Sequence, residues 1–156
     1  MSTTVHGSWP SHLPVSQVRI ARPTDRLDEV VAFYRDGIGL AEIASFRGHA
    51  GYDGVMLGLP GDDYHLEFTR HEHGSPGAAT SRDNLLVLYL PEPGAVEAAA
   101  ARLESRGHTR VEPDNPHWNA ISITFEDPDA WRVVLVRAAG FTDTRRQTDE
   151  GVHHVQ

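Results

Sequence analysis

The sequence predicts an α+β chain built from two tandem βαβββ modules. Three observations predict it. Two amphipathic helical stripes lie 69 positions apart, strand-like runs surround each in the same order, and the last strand of one half matches the last strand of the other.

The first strand reads as Val18-Arg19-Ile20-Ala21-Arg22, stopped by Pro23. The first helix carries Leu27, Val30, Val31 and Tyr34 at i, i+3, i+4 and i+7, one apolar face of a helix. Thr24 or Asp25 is placed to cap it, Asp28 and Glu29 suit the positive end of its dipole, and Gly37 or Gly39 ends it. Runs at 40–46, 54–59 and 64–70, separated by Gly, Asp and Pro, read as three more strands.

The second half repeats this plan. Leu85–Leu90 is its first strand, and Val96, Ala99, Ala100 and Leu103 repeat the four helical spacings. Pro93 stands near the helix start and Gly107 just past its end. Strands follow at 109–112, 120–125 and 131–137. Tyr64-His65-Leu66-Glu67-Phe68-Thr69 aligns with Trp131-Arg132-Val133-Val134-Leu135-Val136, each behind an acidic turn, Gly61-Asp62-Asp63 or Pro128-Asp129-Ala130. A fixed offset of this kind marks a duplicated unit. The expected organisation is an extension over 1–14, one domain over 15–137 (modules 15–72 and 83–137), and a polar tail over 138–156.

Composition narrows the function. A chain of 156 residues is the size of one ordinary domain. It has no cysteine, which excludes thiol chemistry, disulfides and Cys-ligated metals. The net charge is −8 and every basic residue is Arg, without a basic stripe, so nucleic acid is not an expected partner. No apolar run approaches the length of a membrane span, and Met1–Pro14 does not read as a secretory signal. The expected location is the cytoplasm.

Strand parity selects the candidate site. Tyr64, Leu66 and Phe68 share one face, while His65, Glu67 and Thr69 share the other. Val18 and Ile20 likewise oppose Arg19 and Ala21. The apolar faces are expected under the helices. The polar faces then read either as a solvated side of an antiparallel sheet or as the lining of a site.

The duplicated unit resembles the vicinal oxygen chelate superfamily, the group of glyoxalase I, extradiol dioxygenases, fosfomycin-modifying enzymes and bleomycin-binding resistance proteins. The resemblance rests on Ala32-Phe33-Tyr34-Arg35-Asp36-Gly37-Ile38-Gly39-Leu40, on His65-Leu66-Glu67-Phe68, and on the turn Glu126-Asp127-Pro128-Asp129-Ala130-Trp131. It implies a concave cup of two mixed sheets with the helices outside. It also implies a divalent metal held from the first and last strands of each module, with positions left open for substrate oxygens.

Carried onto this chain, those four places fall on Arg19, Glu67, Leu85 or Val87, and Val134. Only Glu67 is a metal ligand; Arg19 stays protonated. His65, two residues from Glu67 on the same strand face, is the one side chain able to assist it. His71 and His73 in a loop and His153-His154 in the tail do not complete the set. A divalent metal is therefore admitted only through Glu67 and His65, and no cofactor is assigned.

Arg19 is expected to pair with Glu67, keeping it ionised and suited to binding more than to proton abstraction. Imidazole changes charge near neutral pH, so His65 is the candidate acid or base beside Glu67, with a structural histidine as the alternative. Aromatic area for a ligand is expected from Tyr89, Trp118, Phe46 and Tyr52. Two readings follow. One is a bleomycin-resistance-like protein that binds a small molecule in the cup without metal. The other is a divalent-metal-dependent lyase, isomerase or dioxygenase. A homodimer is expected in either case, because the modules leave strand edges that need covering.

Overall fold

The structure, a computed structural model, describes residues 11–58 and 64–140. The extension up to residue 10, the Gly61-Asp62-Asp63 turn and the tail from Phe141, with His153 and His154, lie outside the described residues.

Among the described residues, eight strands form two sheets of four. Strands β1 (Val18–Pro23), β2 (Ala41–His49), β3 (Tyr52–Gly58) and β4 (Tyr64–His71) make the first, in the order β1-β4-β3-β2. Strands β5 (Leu85–Tyr89), β6 (Arg110–Val111), β7 (Ser122–Glu126) and β8 (Arg132–Val136) make the second, in the order β5-β8-β7-β6. In each, the first strand lies parallel to the last and the remaining pairs are antiparallel. The offset in the sequence is thus a true structural repeat. The second copy is reduced: β6 keeps only two residues.

The first helix departs from the expected form. It is regular only over α1 (Leu27–Val31) and widens to π-helical geometry over Ala32–Ile38. Gly39 closes it at φ 101°, a left-handed conformation that glycine adopts without strain. The Tyr34 carbonyl accepts from both Gly39 N–H and Leu40 N–H. All four stripe residues are buried, but so is Phe33, which lies off the stripe. Its ring meets Tyr34 edge-on on one side and His108 of the second module on another, so this helix is enclosed on more than one face. Neither Thr24 nor Asp25 caps it: Arg26 holds the N-cap position with no side-chain capping bond, and Thr24 Oγ1 accepts the Arg26 N–H at 2.9 Å in the turn ahead of the helix. Asp25 instead accepts Ser75 N–H and ties down the loop after β4.

Helix α2 (Ala95–Ser105) starts after Gly94 and buries Val96, Ala99, Ala100 and Leu103, as its spacing predicts. Leu103 packs on Gly37, and Arg102 Nε and Nη2 donate to the Gly37 and Ile38 carbonyls at 2.9 and 2.7 Å. The helices therefore join the modules through a single core that also holds Leu57, Leu66, Phe68, Phe125, Val133 and Leu135. Burying such aliphatic and aromatic side chains contributes about 1.5–3 kcal/mol each before conformational entropy is counted.

Strand parity holds along β4, whose Leu66 and Phe68 enter this core. It fails in effect for Ile20. Ile20 faces the same way but is 50% exposed, because β1 is an edge strand. Beside Leu66, Phe68, Leu85 and Leu86 it lines a cleft of about 180 Å³ where the β1 and β5 edges approach.

Candidate functional site

The helix-free face of the first sheet is built by register. Arg19 stands beside His65 and Ala21 beside Glu67 in the parallel β1–β4 pair. Across the antiparallel β3–β4 pair, Gly58 faces His65, Met56 faces Glu67 and Gly54 faces Thr69. Partners in register project from the same side of a sheet, so these side chains converge.

Arg19 sits at the centre of the group. Its Nη1 lies 3.6 Å from Glu67 Oε1, its Nε donates to His65 Nε2 at 3.2 Å, and its Nη2 approaches Met56 Sδ at 3.8 Å. His65 thus uses Nε2 as the acceptor, which leaves Nδ1 as its other polar atom. That Nδ1 is buried and has no partner among the described residues. His65 and Glu67 are buried, while the Arg19 side chain is 49% exposed. The guanidinium is thus half in water with two polar groups beneath it.

The glycines of β3 leave room for neighbours. A Cβ at Gly58 would lie 2.6 Å from Ile43 Cδ1, and one at Gly54 would lie 2.4 Å from the Phe46 ring. Phe46 therefore closes over bare backbone at the outer end of β2. Tyr52 is at the rim, half exposed, with its ring 4.5 Å from that of His71.

Trp118 and Tyr89 belong to the second module. Trp118 ends a 3₁₀ turn (Pro116–Trp118) and lies with Leu85, Thr124, Arg132 and Val134. Tyr89 ends β5, packs against Gly140, and borders a groove of about 490 Å³ with Leu88, Leu90, Ala98 and Arg102. The structure thus brings Arg19, His65 and Glu67 together and distributes the four aromatic candidates over separate places.

The metal places of the resembled superfamily do not fit a metal here. Val87 and Val134 are register partners in the second sheet, and neither can bind a cation. At the first-strand place a permanent positive charge adjoins Glu67. Among the described residues, no group of three or more His, Asp or Glu side chains is placed to hold a metal ion.

Two features escaped the sequence. Met56 completes the surroundings of Arg19, a contact set only by the β3–β4 register. Arg132 is buried on the helix-free face of the second sheet, where its Nε and Nη2 donate to Glu126 Oε1 and its Nη1 to the Glu112 carbonyl. An arginine in an otherwise aliphatic strand, Arg132-Val133-Val134-Leu135-Val136, was the available signal.

The family model described as the YycE-like N-terminal domain matches residues 18–69, and that of the YycE-like C-terminal domain matches residues 83–137. The uncharacterized protein YycE of Bacillus subtilis (strain 168) is 46% identical over 132 residues, covering 85% of this chain and 95% of that protein. A crystal structure of Bacillus subtilis YycE, described as a protein of unknown function and a candidate glyoxalase/fosfomycin resistance protein, superposes with a TM-score of 0.82 at 43% identity. That match covers 88% of this chain and all of the other. At the level of fold alone, the antibiotic binding protein TnmS3 of Streptomyces sp. CB03234 matches with a TM-score of 0.58 at 23% identity, over 80% of this chain and 98% of its own. Trypanothione-dependent glyoxalase I of Leishmania major matches at 0.61 and 16%, over 85% and 90%. By its two family models and its Bacillus relative, the chain belongs to the YycE-like family, and it shares its fold with members of the glyoxalase/bleomycin resistance protein/dioxygenase superfamily.

Proposed function

We propose that this protein binds a small organic molecule on the helix-free face of the first sheet, through Arg19, His65 and Glu67, without a divalent metal. One observation carries the reading. The Arg19 guanidinium stands at the first-strand place, 3.6 Å from the one carboxylate that a metal would need. A fixed cation there repels an incoming metal ion and offers up to five donors to a ligand. Its half-exposed position lets it face a ligand while Glu67 and His65 hold it from below. Phe46 and Tyr52 border the same sheet and add aromatic area. The shared fold of an antibiotic binding protein supports a binding role. A second copy of the chain is proposed to cover the exposed β1 and β5 edges.

The test combines metal analysis with ligand screening on tag-free protein. The expected result is no stoichiometric transition metal, together with a rise in melting temperature for a planar aromatic ligand that is lost in Arg19→Ala and Glu67→Gln. One transition metal per chain, lost in Glu67→Gln, would overturn this reading in favour of a metal-dependent lyase, isomerase or dioxygenase.

A further inference from the structure

The helix-free face of the second sheet holds two buried polar atoms with nothing to bond. Trp118 Nε1 and Thr124 Oγ1 are both enclosed and have no hydrogen-bond partner among the described residues. Thr124 is only 3% exposed. Both residues line one small cavity of about 10 Å³, with Leu85, Asp114, Asn115 and Arg132 also on its wall. Buried polar groups left unpaired are costly, and native proteins almost always satisfy them.

We propose that Trp118 and Thr124 form a two-point subsite for a single oxygen atom that accepts hydrogen bonds. The chemistry follows from the inventory of the site. An indole N–H is a donor only, so the occupant must accept. The threonine hydroxyl rotates freely and can donate to the occupant's second lone pair. The Arg132 side chain on the wall is 5% exposed and offset by Glu126 and Asp114, at 3.1 and 3.6 Å, so the preference rests on the indole N–H and the hydroxyl. An atom carrying partial negative charge is therefore favoured over a donor or a cation. A cavity of about 10 Å³ is the least that admits one water.

The repeat shows that this subsite is peculiar to the second module. Thr124 faces Val134 as Met56 faces Glu67, so the two modules carry opposite polarity at matching places. In the first, a thioether and a carboxylate take an arginine. In the second, a hydroxyl and an indole await an acceptor. Two sources supply such an oxygen: a water, or the carbonyl tip of a ligand. The inference does not depend on the ligand reading for the first sheet, and its failure would leave that reading intact.

The deciding experiment is a crystal structure of the unliganded full chain at about 1.5 Å, where ordered waters are visible. The expected result is one peak within about 2.7–3.2 Å of both Trp118 Nε1 and Thr124 Oγ1. In T124V, which keeps the shape and removes the hydroxyl, that peak should disappear. Should T124V not fold, the peak in the native protein decides alone. Crystals soaked in acetone separate the sources. Replacement of the peak by the acetone oxygen assigns the subsite to ligand carbonyls, and retention of the water assigns it to solvent. The proposal is overturned if no peak is found there, or if Trp118 Nε1 bonds directly to a protein oxygen or turns into bulk water.

Discussion

Arg22 and Asp127 stand 105 positions apart in the chain, and Arg22 Nη2 donates to Asp127 Oδ2 at 2.6 Å. The Asp127 side chain is fully buried, and its Oδ2 also accepts the Tyr34 hydroxyl at 2.8 Å. Its Oδ1 accepts the Asp129 and Trp131 N–H groups, which shapes the turn before β8. The guanidinium lies 4.4 Å from the Trp131 ring centroid and 5.1 Å from that of Phe68. One carboxylate thus fastens β1 and the first helix to the second module. Asp127→Asn keeps the shape and removes the charge, leaving Arg22 largely buried without its counter-ion. The expected loss is about 3–5 kcal/mol in urea denaturation. A loss below about 1 kcal/mol would show that the junction does not depend on this charge.

The same cluster predicts a dependence on alkaline pH. Burial, reinforced by the Asp127 charge, pushes the Tyr34 phenol far above its ordinary value of 10.0. The unfolded chain then releases this proton above about pH 10 while the folded chain retains it, so stability is full below that pH and declines above it. Tyr34→Phe should flatten the alkaline limb of a melting-temperature profile. An unchanged limb in this variant would assign the decline to other groups.

Gly77 has no room for a side chain. A Cβ there would lie 2.1 Å from the Pro23 carbonyl oxygen and 2.9 Å from its carbon, which are backbone atoms. The Gly77 carbonyl also accepts Trp131 Nε1 at 2.7 Å, holding the inter-module loop against the ring that stacks on Arg22. Gly77→Ala is therefore expected to destabilise by about 1–3 kcal/mol, the usual range for overpacking. Thermal denaturation with no change in midpoint would contradict the close approach.

Arg19 should matter more for binding than for folding. A fully buried pair costs about 3–5 kcal/mol to break, but Arg19 keeps half its side-chain surface in water. Arg19→Met is accordingly expected to cost about 1 kcal/mol or less, the range of exposed pairs, while abolishing ligand binding on the first sheet. A large loss of stability in denaturant would place the guanidinium in the core instead.

Ile20 and Leu85, 50% and 36% exposed, flank the edges of β1 and β5 that pair with no strand among the described residues. Light scattering at micromolar concentration is expected to give twice the chain mass. A single-chain mass would remove the proposed second copy.

The fold was legible because duplication writes each element twice. The stripes ending in Tyr34 and Leu103 and the alternation through Leu66 and Phe68 depend on neighbours a few residues away. The grouping of Arg19, His65 and Glu67 was legible for the same reason, since parity places them on one face once β1 pairs with β4. What escaped depends on distant partners. Phe33 is buried because a second helix packs against the first, and Ile20 is exposed because β1 has one neighbouring strand among the described residues rather than two. Asp127 drew notice as part of a motif, yet nothing local shows that it receives Arg22 and Tyr34. The single cavity shared by Trp118 and Thr124 likewise exists only after the 3₁₀ turn folds over β7.

The parallel pairing of first and last strands also sets an order of events during synthesis. Arg19 must wait for His65, and Leu85 for Arg132, before either edge strand has a partner. The β2–β3–β4 meander, joined by short antiparallel connections, has the lower closure entropy and is expected to form before β1 docks. The second sheet has the same β6–β7–β8 meander, but its β6 contributes only two residues, Arg110–Val111. Its inner strand β8 is the last strand among the described residues, and both β5 and β7 pair with it. A nascent chain stopped short of Trp131 therefore holds one nearly complete module beside one that lacks the strand joining its first and third strands. Such a truncated product is expected to be a substrate for chaperones and proteases rather than a half-functional protein.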